Sequence, residues 1–144
     1  MIRLLSMELI RKILNESTTI AVVGLSPKKS RPSHQVAEYL LRVGYTVIPV
    51  NPGQEMILGQ KCYPDLPSIG RPVDVVDIFR RADQVEPIVR DGVAIGARVI
   101  WMQQGIINEQ AAALAEQAGL AVIMDRCMKV DHMQLCGEPG NAVR

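Results

Sequence analysis

Five short apolar runs, each stopped by turn or polar residues, restrict this 144-residue chain to a few architectures. They are Ile20–Val23, Thr46–Val50, Val73–Phe79, Ala97–Met102 and Ala121–Met124. Each is nearly continuous rather than alternating, as in strands covered by helices on both faces of a parallel sheet. Segments of helical period lie between them. One starts near Ser33, with Ser33 as its expected N-cap, and Gly44 ends it. A second runs from Asp83, as cap, to Ile95. A third runs from the cap Asn108 to about Ala118. Residues 4–15 carry Leu4, Leu5, Ile10, Ile13 and Leu14 at helical spacing, which predicts a leading helix. The stretch 54–72 has little periodicity, with a short extension at Lys61–Tyr63 and a helical turn at Leu66–Ile69. After Cys127 the pattern fades.

Alternating strands and helices define the expected fold class. It is α/β: a single Rossmann-like, doubly wound domain with about five parallel strands and helices on both faces. The expected divisions are a leading helix over 1–16, the domain over 17–136 and a flexible tail over 137–144.

Composition narrows the function. A net charge of +1 argues against a broad nucleic-acid surface, and 3% aromatic residues against base-stacking platforms. No apolar run approaches a membrane span. The amino-terminal segment is interrupted by Arg3, Glu8, Arg11 and Lys12, unlike a signal peptide. Cys62, Cys127 and Cys136, an odd and sparse set, suggest free thiols and a cytoplasmic location.

In such a sheet a ligand lies beyond the carboxyl ends of the strands. The first strand ends at Gly24, in the loop Gly24-Leu25-Ser26-Pro27-Lys28-Lys29-Ser30-Arg31, just before a helix start. Helix-terminal N–H groups, the helix dipole and three cations there favour an anion, so the loop reads as a phosphate cradle. Asn51 and Pro52 follow the second strand. Arg80 and Arg81 follow the third, Gln103 and Gly105 the fourth, and Asp125, Arg126 and Cys127 the fifth. This set suits a ligand with several phosphate charges. The loop is not G-x-G-x-x-G, no acid ends the second strand, and no Walker motif is present.

Several residues carry competing readings. Cys127, His132 and Cys136 match no usual zinc spacing, and no metal site is read. Cys127 is a buried inert cysteine or a reactive thiol. His34 is an exposed residue or a phosphate contact. Asp74 and Asp77 form no catalytic pair that sequence can support, and Trp101 reads as packing.

The blocks GLSPKKSRPSHQVAEYLL, VIPVNP, DVVDIFRR, IWMQQGI and VIMDRC together resemble the small stand-alone CoA-binding proteins. Their fold is similar to the CoA-binding domain of the succinyl-CoA synthetase α chain. The resemblance covers roughly residues 18–132 and implies coenzyme A, or an acyl-CoA, as the bound ligand. It implies that Gly24, Ser26, Lys29, Ser30 and Arg31, in a loop that includes Leu25, hold the pyrophosphate. Asn51 and Pro52 would border the adenosine end. Phe79 and Arg80 would flank the nucleotide, and Gln103 and Gly105 would line the pantetheine side. The synthetase's phosphohistidine has no counterpart in a matching block, so its ligase activity does not transfer. No catalytic residue is assigned. Alternatives are an enzyme acting on a CoA thioester and an NAD-type sensor module. A homodimer or an unidentified protein partner stays open.

Overall fold

The computed structural model describes residues 6–137. In chain order the elements are α1 (Met7–Glu16), β1 (Thr19–Val23), α2 (Pro32–Arg42), β2 (Thr46–Val50), β3 (Met56–Ile57) and β4 (Gln60–Lys61). There follow β5 (Val75–Ile78), α3 (Val85–Ala94), β6 (Val99–Met102), α4 (Glu109–Gln117), β7 (Ala121–Ile123) and α5 (Met128–Cys136). Short 3₁₀ turns cover Pro67–Ile69 and Ala82–Gln84.

Five strands form one parallel sheet in the order β2-β1-β5-β6-β7. The chain steps outward from β1 to β2, then returns past β1 to β5 and continues in the other direction. The order therefore reverses between β1 and β5, which makes the ends of those two strands the switch point. Each strand is too apolar to leave a face in water. The sheet accordingly separates two cores. Ile20, Val22, Val75 and Trp101 pack with α1, α2 and α5, while Ala21, Val23, Val76 and Ile100 pack with α3 and α4.

The amino-terminal edge of the sheet is tied by Asp74. Its carboxylate accepts from the N–H groups of Thr18 and Thr19 and from the Thr18 hydroxyl. Burial pushes that carboxyl up, but these donors and nearby Arg98 outweigh it and hold it below the usual range.

The expected fold is present, with local corrections. The N-cap of α2 is Arg31 rather than Ser33, because Pro32 occupies the first helical position. Gln84, not Asp83, precedes α3; Asp83 sits in a 3₁₀ turn facing Arg81 at 3.4 Å. Asn108 caps α4 as expected, its side chain accepting from the Ala111 N–H. The 54–72 stretch contains a two-stranded hairpin, and Tyr63 bridges to Val50 at the edge of the sheet. Beyond Cys127, where the sequence pattern fades, α5 forms a fifth helix on the α1 side. The expected tail falls outside the described residues, apart from Gly137.

Candidate functional site at the strand switch point

The loop after β1 is shaped by its own side chains. Gly24 has φ of +87°, its N–H donates to the Val50 carbonyl at 2.8 Å, and the Phe79 N–H donates to the Val23 carbonyl at 2.8 Å. These bonds bring the ends of β1, β2 and β5 together. Beyond Gly24 the Ser26 N–H donates to Ser33 Oγ at 2.9 Å, and the Lys28 N–H to Ser26 Oγ at 3.1 Å. Asn51 Nδ2 donates to the Leu25 carbonyl at 2.8 Å, and His34 Nδ1 to the Ser26 carbonyl at 2.9 Å. Loop shape is therefore set from α2, from β2 and from within.

A cleft of about 410 Å³ opens above this point, lined by Gly24, Ser26, Arg31, Pro32, Ser33, Asn51, Phe79, Arg80, Arg81 and Ile106. At its α2 end, the Arg31 carbonyl accepts from the His34 and Gln35 N–H groups. Pro32 has no N–H, so the Ser33 N–H is the first-turn donor without an intrahelical acceptor. Among the described residues neither Arg31 nor Arg80 is ion-paired. Two uncompensated guanidinium groups beside a helix N-terminus make a strongly anion-favouring floor.

Of the residues singled out from sequence, Gly24, Ser26, Arg31, Asn51, Phe79 and Arg80 meet in this cleft. Lys29 and Ser30 are exposed on the loop and do not line it. The Leu25 side chain is fully buried in the α2-side core and contributes only backbone. Pro52 lines an adjoining smaller cavity of about 130 Å³, with Val23, Val50, Leu66 and Ile88, which shares Arg80 with the cleft. Gln103 is buried, its amide donating to Asp77 Oδ1 at 2.6 Å. The Gly105 N–H donates to Asp125 Oδ1 at 2.7 Å. Both therefore act on the turn after β6 rather than lining the cleft.

Other sequence readings are corrected. His34 is neither exposed nor a cleft residue: it is 5% accessible and braces the loop. Arg81, expected with Arg80 after the third strand, also lines the cleft, together with Pro32, Ser33 and Ile106, which the sequence did not mark as ligand residues. Cys127 is half-buried beside Asp125 and Arg126, in a separate shallow pocket. Among the described residues no cluster of three His, Cys, Asp or Glu side chains is placed to hold a metal.

Fold, strand order and switch-point cleft define the class: an open, doubly wound Rossmann-like α/β domain. Residues 18–133 match the family model of the CoA binding domain, and the chain belongs to that family. It is similar to the uncharacterized protein YneT of Bacillus subtilis, with 42% identity over 123 residues, 85% of this chain and 91% of that one. A solved protein of Pyrococcus horikoshii OT3 superposes with a TM-score of 0.88 at 41% identity, covering 91% of this chain and 92% of the other. A dinucleotide-forming acetyl-coenzyme A synthetase from Ca. Korarchaeum cryptofilum, solved with phosphate and ADP, gives a TM-score of 0.69 at 27% identity. There the match covers 81% of this chain but 27% of the synthetase.

Proposed function

We propose that this chain binds coenzyme A, or an acyl-CoA, with the diphosphate in the switch-point cleft. The observation that carries the reading is that Arg31 and Arg80, neither ion-paired among the described residues, line one cleft with the Gly24 bend and the start of α2. Gly24 supplies an approach without a side chain, and Ser26 and the Ser33 N–H add hydrogen bonds. The diphosphate would lie against these groups. The adenosine end would reach toward Asn51 and the apolar cavity at Pro52, and the pantetheine arm toward the turn that contains Gly105 and Ile106. Lys28 and Lys29, at the exposed tip of the loop, would attract the ligand's charge at longer range. The residues named bind and orient; none is assigned a proton-transfer or nucleophilic role.

Calorimetric titration tests the reading. CoA is expected to bind one per chain, and dephospho-CoA to bind at the same site. NAD is expected to compete poorly, because the end of β2 offers the Asn51 amide, already bonded to Leu25, where an NAD site presents a carboxylate to the ribose. Absence of binding by both CoA and dephospho-CoA would overturn it.

A further inference from the structure

Beneath the cleft lies a buried acid that the diphosphate site does not use. Asp77 is the third residue of β5, with no accessible surface. Its neighbours in the sheet are Val22 of β1 and Trp101 of β6. One carboxyl oxygen accepts from Gln103 Nε2 at 2.6 Å; the other is buried and has no hydrogen-bond partner among the described residues. Gln103 starts the turn that leads from β6 to α4. Its backbone N–H donates to the Ile78 carbonyl, and its carbonyl accepts from the Ile106 N–H at 2.9 Å. Ile106 lines the cleft together with Arg31 and Arg80.

We propose that Asp77 is a positioning residue for the CoA cleft, setting the Gln103–Ile106 turn through the Gln103 amide according to whether its carboxyl is protonated. The proposal rests on the CoA reading for its consequence, but not for the coupling itself. A neutral carboxyl is tolerated where Asp77 sits. Ionisation puts charge on an oxygen with no donor, and the remedy is to admit water or a second N–H by moving the turn. Burial raises the carboxyl to about 7, so the change falls within the physiological range.

The other buried titratable groups on this face, among the described residues, have partners of their own. On the same side of the sheet, the buried titratable groups of α2 and α5 are His34, Tyr39, Asp131 and His132; α1 buries only Ile10, Ile13 and Leu14. His34 is held by Ser26, Asp131 by Arg126, and His132 by the Tyr39 hydroxyl at 2.7 Å. For Asp77, burial raises the carboxyl and the hydrogen bond from Gln103 opposes it.

Trp101, the chain's one tryptophan and the cross-strand neighbour of Asp77, is a built-in reporter. Its emission in the wild-type chain is expected to titrate with a midpoint near 7, and this step is expected to vanish in Asp77→Asn. Amide exchange of Ile106 is expected to match in the two proteins at low pH. At high pH it is expected to be about fivefold faster in wild type. Gln103→Met, with Asp77 intact, should keep the Trp101 step while uncoupling Ile106 from it. This variant also serves if Asp77→Asn does not fold. CoA affinity, measured as the ratio of wild type to Asp77→Asn to cancel titration of the ligand's own phosphate, should fall about fivefold from low to high pH. A Trp101 step that persists in Asp77→Asn, or Ile106 exchange indifferent to both substitutions, would overturn the proposal. If Ile106 follows Asp77 but no form binds CoA, the coupling stands and the CoA reading fails.

Discussion

A Cβ built on Gly24 would lie 2.2 Å from the carbonyl oxygen of Phe79, well inside any allowed contact. The clash is with backbone, where the ends of β1 and β5 are held together by the Phe79 N–H to Val23 carbonyl bond, so no side-chain rearrangement relieves it. Gly24 also has φ of +87°, a conformation that an L side chain rarely adopts. Gly24→Ala is therefore expected to lower stability by at least about 2–3 kcal/mol in urea unfolding. It should also displace the Ser26 loop. A fully stable Gly24→Ala protein would mean that these strand ends are not as close as described.

The two cleft arginines should behave as ligand groups rather than as structural ones. Arg80→Gln removes a cation that has no ion-pair partner among the described residues, so its effect on urea unfolding should be under about 0.5 kcal/mol. Its effect on CoA affinity should be about tenfold, the worth of one charge-assisted bond. The salt dependence of binding should flatten at the same time.

Asp77 makes a separate prediction about pH and folding. Its folded value of about 7 lies above the ordinary 3.8. Between those values the folded chain keeps a proton that the unfolded chain has released. Its contribution is therefore fully present below about pH 4 and is lost as pH rises through 7. Asp77→Asn carries no such loss. The variant should gain on the wild type by roughly 2–4 kcal/mol between pH 4 and pH 8, measured by urea unfolding at each pH. Parallel pH profiles would refute this.

The helix α5 is held by a two-point ion pair. Arg126 Nε and Nη2 donate to Asp131 at 2.7 and 2.8 Å, and the Asp131 side chain is 3% accessible. Arg126 retains some exposure to water, which softens the loss on breaking the pair. Asp131→Ala is expected to reduce stability by about 1–3 kcal/mol, with amide exchange rising first in α5.

How much of this was legible in the sequence depended on the kind of signal. The five sheet strands were readable because strands buried on both faces must be continuously apolar. Val75–Ile78 and Ala121–Ile123 lie inside the expected runs, with shorter ends. Gly24 and Arg31 were readable because a strand–glycine–helix passage has a local physical meaning. By contrast, α5 has apolar and polar residues distributed around its axis, with Asp131 and His132 buried against Arg126 and Tyr39. These side-chain partners, and the packing of Met128 in the core on the α1 side, leave no periodic signal in the sequence. Ser33 was misread for a related reason. A serine before a helical run is a common cap, yet here it lies inside the helix and caps the Ser26 N–H across the loop. The role of Ile106 was not legible either, because a turn residue's part in a cleft depends on which strand it follows and where that strand sits.

Native mass spectrometry of the wild-type chain and an Arg31→Ala/Arg80→Ala variant, each mixed with CoA, tests the central claim most directly. The account predicts one CoA retained per wild-type chain and about a hundredfold weaker retention by the variant, two charge-assisted contacts having been removed. No retention by the wild type, or equal retention by both, would contradict it.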